Sequence, residues 1–231
     1  MKHFILIGFS LLILLFNPVF GQKSYDKYNR YFRKDQLSLT LTGTQWLAAD
    51  AVPRPSVFSR GVNLQMMYPI LGNRSNVALA LGFGYAVQNY YLDHFLHTNT
   101  DDAWFTQIPE DLSYSKYKLT TNYLTLPFEL RIRTNPDPQY RRSFKIYPGF
   151  RAGFLINVHT KYVGESPDTG EDIKVKEYHI KQISPFSYGP TIRIGYGKLM
   201  LHGYYSLTNL FDAVSLNPVN AYEVGLSIVL F

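Results

Sequence analysis

The 231-residue sequence contains no cysteine. No disulfide can form and no lipid can be attached through an N-terminal cysteine, so an exported chain must be held by its fold alone. Charged residues make up only 17% of the chain. After Phe16 no apolar run approaches the roughly 20 residues that a membrane-spanning helix needs. Lys and Arg outnumber Asp and Glu to give a net charge of +6. Those basic residues are spread through strands and turns, with no helix or finger motif, which argues against a nucleic-acid partner.

The sequence does contain period-two alternation. From Asn122 to Arg133, Leu124, Leu126, Phe128, Leu130 and Ile132 alternate with Tyr123, Thr125, Pro127, Glu129, Arg131 and Arg133. That period is the signature of a strand with one apolar and one polar face. A strand in a soluble domain usually runs about five or six residues. This one is about twice as long, near the 9 to 11 residues that cross a bilayer when tilted. Polar residues on its second face then imply a closed barrel with a polar lumen. Tyr and Phe number 19 and 16, as expected of a barrel with aromatic girdles at both interfaces. The mean hydropathy of −0.13 fits too, because lipid-facing and lumen-facing residues cancel in the average.

The first residues have a charged start at Lys2, an apolar run from Phe4 to Phe16, and small residues at Val19 and Gly21. This predicts a signal peptide over 1–21, followed by a polar, tyrosine-rich periplasmic segment over 22–36 and a barrel over 37–231. Alternation recurs from Leu37 to Trp46, Val57 to Tyr68, Val77 to Gln88, Asn122 to Arg133, Phe144 to Val158, Ile180 to Tyr196, Leu199 to Leu207 and Ala221 to Phe231. Gly72 and Asn73, a Pro-rich stretch after Arg133, and Gly195 to Lys198 are read as short turns. Asn89 to Tyr117 and Lys161 to Tyr178 are read as long exposed loops. The expected fold is therefore an all-β, eight-stranded antiparallel transmembrane β-barrel, an up-and-down meander with short turns at one end and long loops at the other.

Parity assigns faces. Phe144, Ile146, Pro148, Phe150, Ala152, Phe154, Ile156 and Val158 fall on the outer side of the fifth strand, and Lys145, Tyr147, Arg151 and Asn157 on the inner side. The inner faces also receive Glu129, Arg131, Arg193 and Glu223. In a narrow lumen these charges persist only when paired, so Glu129, Arg131, Arg151, Arg193 and Glu223 are expected to form one network with Glu129 as hub. The loops carry Tyr90, Tyr91, Trp104, Phe105 and Tyr114, which can be read either as a contact surface for protein or glycan or as ordinary loop packing and interfacial anchoring.

The stretches Tyr123–Ile132, Tyr147–Ile156, Pro185–Tyr196 and His202–Leu210 (YLTLPFELRI, YPGFRAGFLI, PFSYGPTIRIGY, HGYYSLTNL) resemble the small outer-membrane β-barrel family of Bacteroidota that includes PorT-like proteins. The resemblance spans the chain from the first strand onward and implies integral outer-membrane location, with outer-membrane lipid and other envelope or secretion proteins as partners. PorT itself is associated with type IX protein secretion. No site residue transfers, because the motifs belong to the fold.

A catalytic set of His202, Ser206 and Glu223 can be drawn, but His202 and Ser206 lie four residues apart on one strand, about 13 Å at strand rise, beyond proton-transfer reach. His94 and His97 with Asp93, Asp101 and Asp102 match no metal-ligand spacing. No enzyme activity, metal or cofactor is therefore expected. An eight-stranded barrel has room only for side chains, so a general porin is not expected either. The expected role is an anchor or accessory in envelope assembly or secretion. A small lipid-modifying enzyme and a surface ligand-binding barrel stand as the alternatives.

Overall fold

Most of the period-two alternation becomes strand in the computed structural model, which describes residues 36–48, 52–71, 76–100, 102–134, 143–166, 169–178, 180–213, 216 and 218–230; the expected strands from Val57 and Ile180 begin only at Arg60 and Phe186. The strands are β1 (Leu37–Ala48), β2 (Arg60–Leu71), β3 (Val77–Leu92), β4 (His94–Thr98), β5 (Ala103–Gln107), β6 (Tyr114–Arg133), β7 (Phe144–Glu165), β8 (Asp172–Glu177), β9 (Phe186–Tyr196), β10 (Leu199–Asn209) and β11 (Val219–Val229). Eight of them, β1, β2, β3, β6, β7, β9, β10 and β11, pair antiparallel in chain order, and β11 returns to pair with β1. Closure leaves no edge, the one way a sheet can stand in lipid with every backbone group paired. The fold is thus the expected all-β meander barrel. β4 and β5 form a hairpin of their own, and β8 pairs with the far end of β7.

Connections β2–β3, β6–β7 and β9–β10 lie at one end of the barrel and the other four, on average longer, at the other. The shortest is Gly197–Lys198 between β9 and β10, where Gly197 has φ of 63°, a left-handed conformation that glycine adopts without a Cβ clash. The signal-peptide and N-terminal segments, the turn residues Gly72 and Asn73, Asp101 and Phe231 lie outside the described residues.

Around the short-turn half, outward side chains are apolar and inward ones polar. Leu64, Leu81, Leu124, Phe150, Ile192 and Leu226 are all among the exposed large hydrophobics, while Thr40, Asn63, Thr125, Arg151, Arg193 and Glu223 are buried. An apolar belt running round the whole circumference is far larger than the few hundred Å² that soluble proteins tolerate, and it matches the lipid-facing band of a membrane barrel. Tyr68, Phe144 and Tyr196 edge it near the short turns; Phe154, Phe186, Tyr188 and Tyr205 edge it on the other side.

Two expected loops are largely strand. β3 continues to Leu92, β6 begins at Tyr114, β7 continues to Glu165, and β8 follows. The alternation persists there with its sense inverted: Tyr117, Leu119 and Tyr162 are buried, whereas Lys116, Lys118 and Lys161 face outward. Beyond the belt the surroundings are water, so apolar side chains turn inward. They join Trp46, Tyr90, Leu92, Leu96, Ile108, Leu210 and Phe211 in one apolar core. The barrel therefore has a polar storey within the belt and an apolar storey above it.

One face assignment is corrected. Asn157 was expected inside, but the β6–β7 register shifts between Asn122↔Asn157 and Tyr123↔Leu155. The extra residue, Ile156, reverses the parity of everything after it. Asn157 is exposed and accepts a hydrogen bond from Asn122 Nδ2 at 3.2 Å, while Val158 turns to the apolar core.

Leu126 and Phe154, each 49% exposed on the belt, test the lipid face. Leu126→Arg is expected to cost about 2 to 4 kcal/mol if it lies near the bilayer midplane, and Phe154→Arg, at the edge of the belt, less; both should be seen as a lower folding yield into lipid vesicles. An unchanged yield for both variants contradicts the assignment.

Candidate functional site

Parity and the narrow bore bring side chains from opposite walls together, and the five lumenal charges divide into two groups. In the first, Glu223 on β11 is wholly buried and Arg151 on β7 reaches it across the lumen, with Nη2 at 2.5 Å from Oε1. Asn63 Nδ2 donates to Glu223 Oε2 at 2.6 Å, and Gln88 donates to Oε1. Gln88 Oε1 in turn accepts from Tyr90 at 2.9 Å and from Thr121 at 3.1 Å. The Arg151 guanidinium lies 3.6 Å over the Tyr204 ring, whose hydroxyl meets Ser187 Oγ at 2.7 Å. Arg151 Nη1 also reaches Oε2 at 3.5 Å, so each carboxylate oxygen has two donors, the condition on which a buried ion pair persists.

The second group lies nearer the short turns. Arg193 Nη2 is 2.7 Å from the Glu129 carboxylate and Arg131 Nε is 3.2 Å from it. Arg193 Nη1 also donates to Ser38 Oγ at 3.1 Å. Glu129 has room because its cross-strand partner is Gly149; a Cβ there would stand 2.3 Å from Phe128 O and 3.2 Å from Glu129 Cγ. Tyr147 sits at the centre of the arginines, with Arg131, Arg133 and Arg193 at 5.3, 5.5 and 5.5 Å from its ring. Its hydroxyl accepts from Arg133 Nε at 2.7 Å. Glu129 is therefore the hub of its own group, and Glu223 is a second centre with its own arginine.

Sequence reasoning missed Asn63, Gln88, Arg133 and Tyr204 as members of these groups. Parity was the signal available for each, since all four fall on inner faces. His202 lies between the groups on β10, 3% exposed, and its two ring nitrogens have no protein partner among the described residues. Thr42 Oγ1, Asn63 Oδ1 and Gln65 Oε1 are alike in this, so this stretch of the lumen has the polar lining that buried water fills.

The residues weighed for catalysis do not converge. Ser206 Oγ is 2.8 Å from Thr208 Oγ1 and 3.4 Å from Ser187 Oγ, and Glu223 is committed to Arg151. His94 Nδ1 lies 2.7 Å from Asp93, His97 stacks on Trp104 at 5.5 Å, and no group of three potential metal ligands occurs among the described residues.

The expected contact surface is only partly on the surface. Tyr90 is fully buried, because it lies on β3 and points inward, and Phe105 packs edge-on against Phe211 at 5.7 Å. Trp104 is 45% and Tyr114 37% exposed, while Tyr91 is half-buried on the outer wall.

Removing either carboxylate leaves a buried arginine without its partner, a change that costs roughly 3 to 5 kcal/mol where water does not replace the lost contact. Glu129→Ala and Glu223→Ala are both expected to lower the urea unfolding midpoint in lipid. Glu223→Ala should lower it at least as far, since Asn63 and Gln88 also lose their acceptor. Midpoints equal to the parent's would mean that the lumen solvates each charge separately.

The family model described as outer membrane protein beta-barrel domain matches residues 58–212. Among solved structures, Ail, the attachment invasion locus protein of Yersinia pestis, is 12% identical with a TM-score of 0.37, covering 83% of this chain and 95% of its own. Neisserial surface protein A (NspA) is 11% identical with a TM-score of 0.37, covering 84% and 96%. No curated protein matches the chain.

Proposed function

We propose that this chain, which belongs to the outer membrane protein β-barrel domain family, is a non-enzymatic outer-membrane barrel that acts as an anchor or accessory in envelope assembly or protein secretion. The observation that carries the reading is the filled lumen. The Glu223–Arg151 and Glu129–Arg193 pairs are buried to within 4% of complete, and the apolar core stands above them. Such an interior offers no route to a solute, and the candidate nucleophile Ser206 has no base beside it. What remains for function is the lipid-facing wall and the storey that stands outside.

That outer storey is built to hold a shape. β3, β6 and β7 run on past the belt, β8 widens the sheet, and the β4–β5 hairpin is tied to the wall through Leu96 N, which donates to the Tyr117 hydroxyl at 2.9 Å. Its exposed Trp104 is the type of large amphipathic ring that dominates protein interfaces. The resemblance to PorT-like proteins supports a secretion role of the type IX kind, and the signal-like N-terminus supports delivery to the envelope.

A photo-crosslinker at Trp104, in the organism that makes the protein, is expected to yield adducts with envelope-assembly or secretion proteins. Replacing the β4–β5 hairpin with a short turn should abolish them while the barrel keeps its heat-modifiable gel mobility. No adduct, and no stable partner purifying with the detergent-solubilised protein, contradicts the accessory reading.

A further inference from the structure

We propose that the outward face of β6, β7 and β8, with the adjoining ends of β2 and β3, binds the phosphate-bearing headgroups of the outer-leaflet glycolipid. The inference rests on the barrel standing in the outer membrane with its longer connections outward. Lys118, Lys161 and Lys176 are directly opposite one another across β6, β7 and β8, so the three ammonium groups share one row on one face. Lys116 and Lys174 flank Val163 in the next row, and Arg60 lies two residues beyond the belt residue Val62 on β2. Like charges directly opposite in a sheet destabilise it. Here they are stacked in two rows, bordered on the β3 side by Asp93, which lies beside Lys116.

The acids of this wall stand at its borders. Glu177 pairs with Thr160, on the inward face; Asp93 lies beside Lys116, with His94 Nδ1 2.7 Å from its carboxylate; and Glu165 faces Asp172 in the next outward row beyond Val163 and Lys174. Lys118 Nζ has one neutral partner, Asn89 Oδ1 at 2.6 Å. Partial burial, and then the charges of Lys176, Lys118 and Lys161, hold the His159 ring below the ordinary histidine value. The positive field of the face therefore reaches the groups around it.

Height selects a lipid headgroup over an ion from the water. Cross-strand rows on this wall run from Leu64, Tyr85, Leu124 and Phe154 (apolar), through Val62, Val87, Asn122 and Asn157, to Arg60, Asn89, Thr120 and His159, and then to the lysine row. Six residues separate Leu124 from Lys118, about 20 Å along the strand and less along the membrane normal because barrel strands tilt. Arg60 thus lies one outward position beyond the belt on its own strand, and Lys118 three beyond it on β6, in the zone outside the apolar belt where phosphates and acidic sugars of an outer-leaflet glycolipid lie. Rings are set among the cations. Tyr91 lies 5.8 Å from both Arg60 and Lys118, and the exposed Tyr178 packs on His159 at 5.3 Å. They offer flat faces to sugar rings where a bare phosphate would need none.

The test uses the full protein reconstituted in phosphatidylcholine vesicles with and without a minor fraction of rough-type lipopolysaccharide. The parent is compared with Lys118→Gln/Lys161→Gln/Lys176→Gln and with Lys181→Gln/Lys198→Gln, which removes charge elsewhere. Lipopolysaccharide is expected to raise the thermal unfolding temperature of the parent and the control but not of the triple variant. Apparent affinity should fall about fivefold per lysine, on the order of a hundredfold in all. In phosphatidylcholine alone the triple variant should be at least as stable as the parent, because repulsion has been removed. Equal shifts for the parent and the triple variant, or no shift for the parent, overturn the proposal. A parent shift reproduced by soluble polyphosphate at the same phosphate concentration overturns the lipid assignment in favour of an aqueous polyanion. Failure of the parent to insert into vesicles would instead strike at the membrane reading itself, and the heat-modifiable gel shift reads that separately.

Discussion

In lipid, no backbone donor or acceptor can be left without a partner. Most of what this chain does follows from that constraint. Eight strands close so that no edge remains, and eight strands make a bore that only side chains can fill. A polar inner face in so narrow a space forces its charges into contact, so Arg151 crosses to Glu223 and Arg193 crosses to Glu129. The ion pairs are thus a consequence of closure. They also reinforce it, because each ties strands that are not neighbours in the sheet.

The same strands continue beyond the bilayer and there obey the opposite rule. On β6 the apolar parity passes from Leu124 and Leu126, which face outward, to Leu119 and Tyr117, which face inward. One strand therefore carries two amphipathic patterns in opposite phase, and the change of phase marks the surface of the membrane. Above it a packed apolar core supports a rigid platform, with a tryptophan at its hairpin and a lysine-rich flank toward the lipid.

This phase change explains what could and could not be read in the sequence. The barrel strands were legible because Leu124 to Ile132 and Val77 to Val87 keep one phase for their whole lipid-facing length. The extensions at Tyr90–Leu92, Tyr114–Tyr117 and Lys161–Glu165 looked like loops, because their apolar residues fall on the parity that the belt had marked as polar. Asn157 was misplaced for a smaller reason of the same kind, since one bulged residue at Ile156 flips every later side chain and leaves no mark in composition. Membership of the charged groups was legible from parity alone. Their division was not, since which arginine reaches which carboxylate depends on stagger between strands that are not neighbours in the sheet. Tyr90 shows the limit of judging exposure from residue type, for a tyrosine among polar neighbours turned out to be fully buried.

The central claim is that the lumen is closed by its own paired side chains. Conductance of the purified protein in a planar lipid bilayer tests this most directly. A sealed barrel predicts a current indistinguishable from the bare membrane in the parent protein. Steady, reproducible single-channel steps from the parent would contradict it.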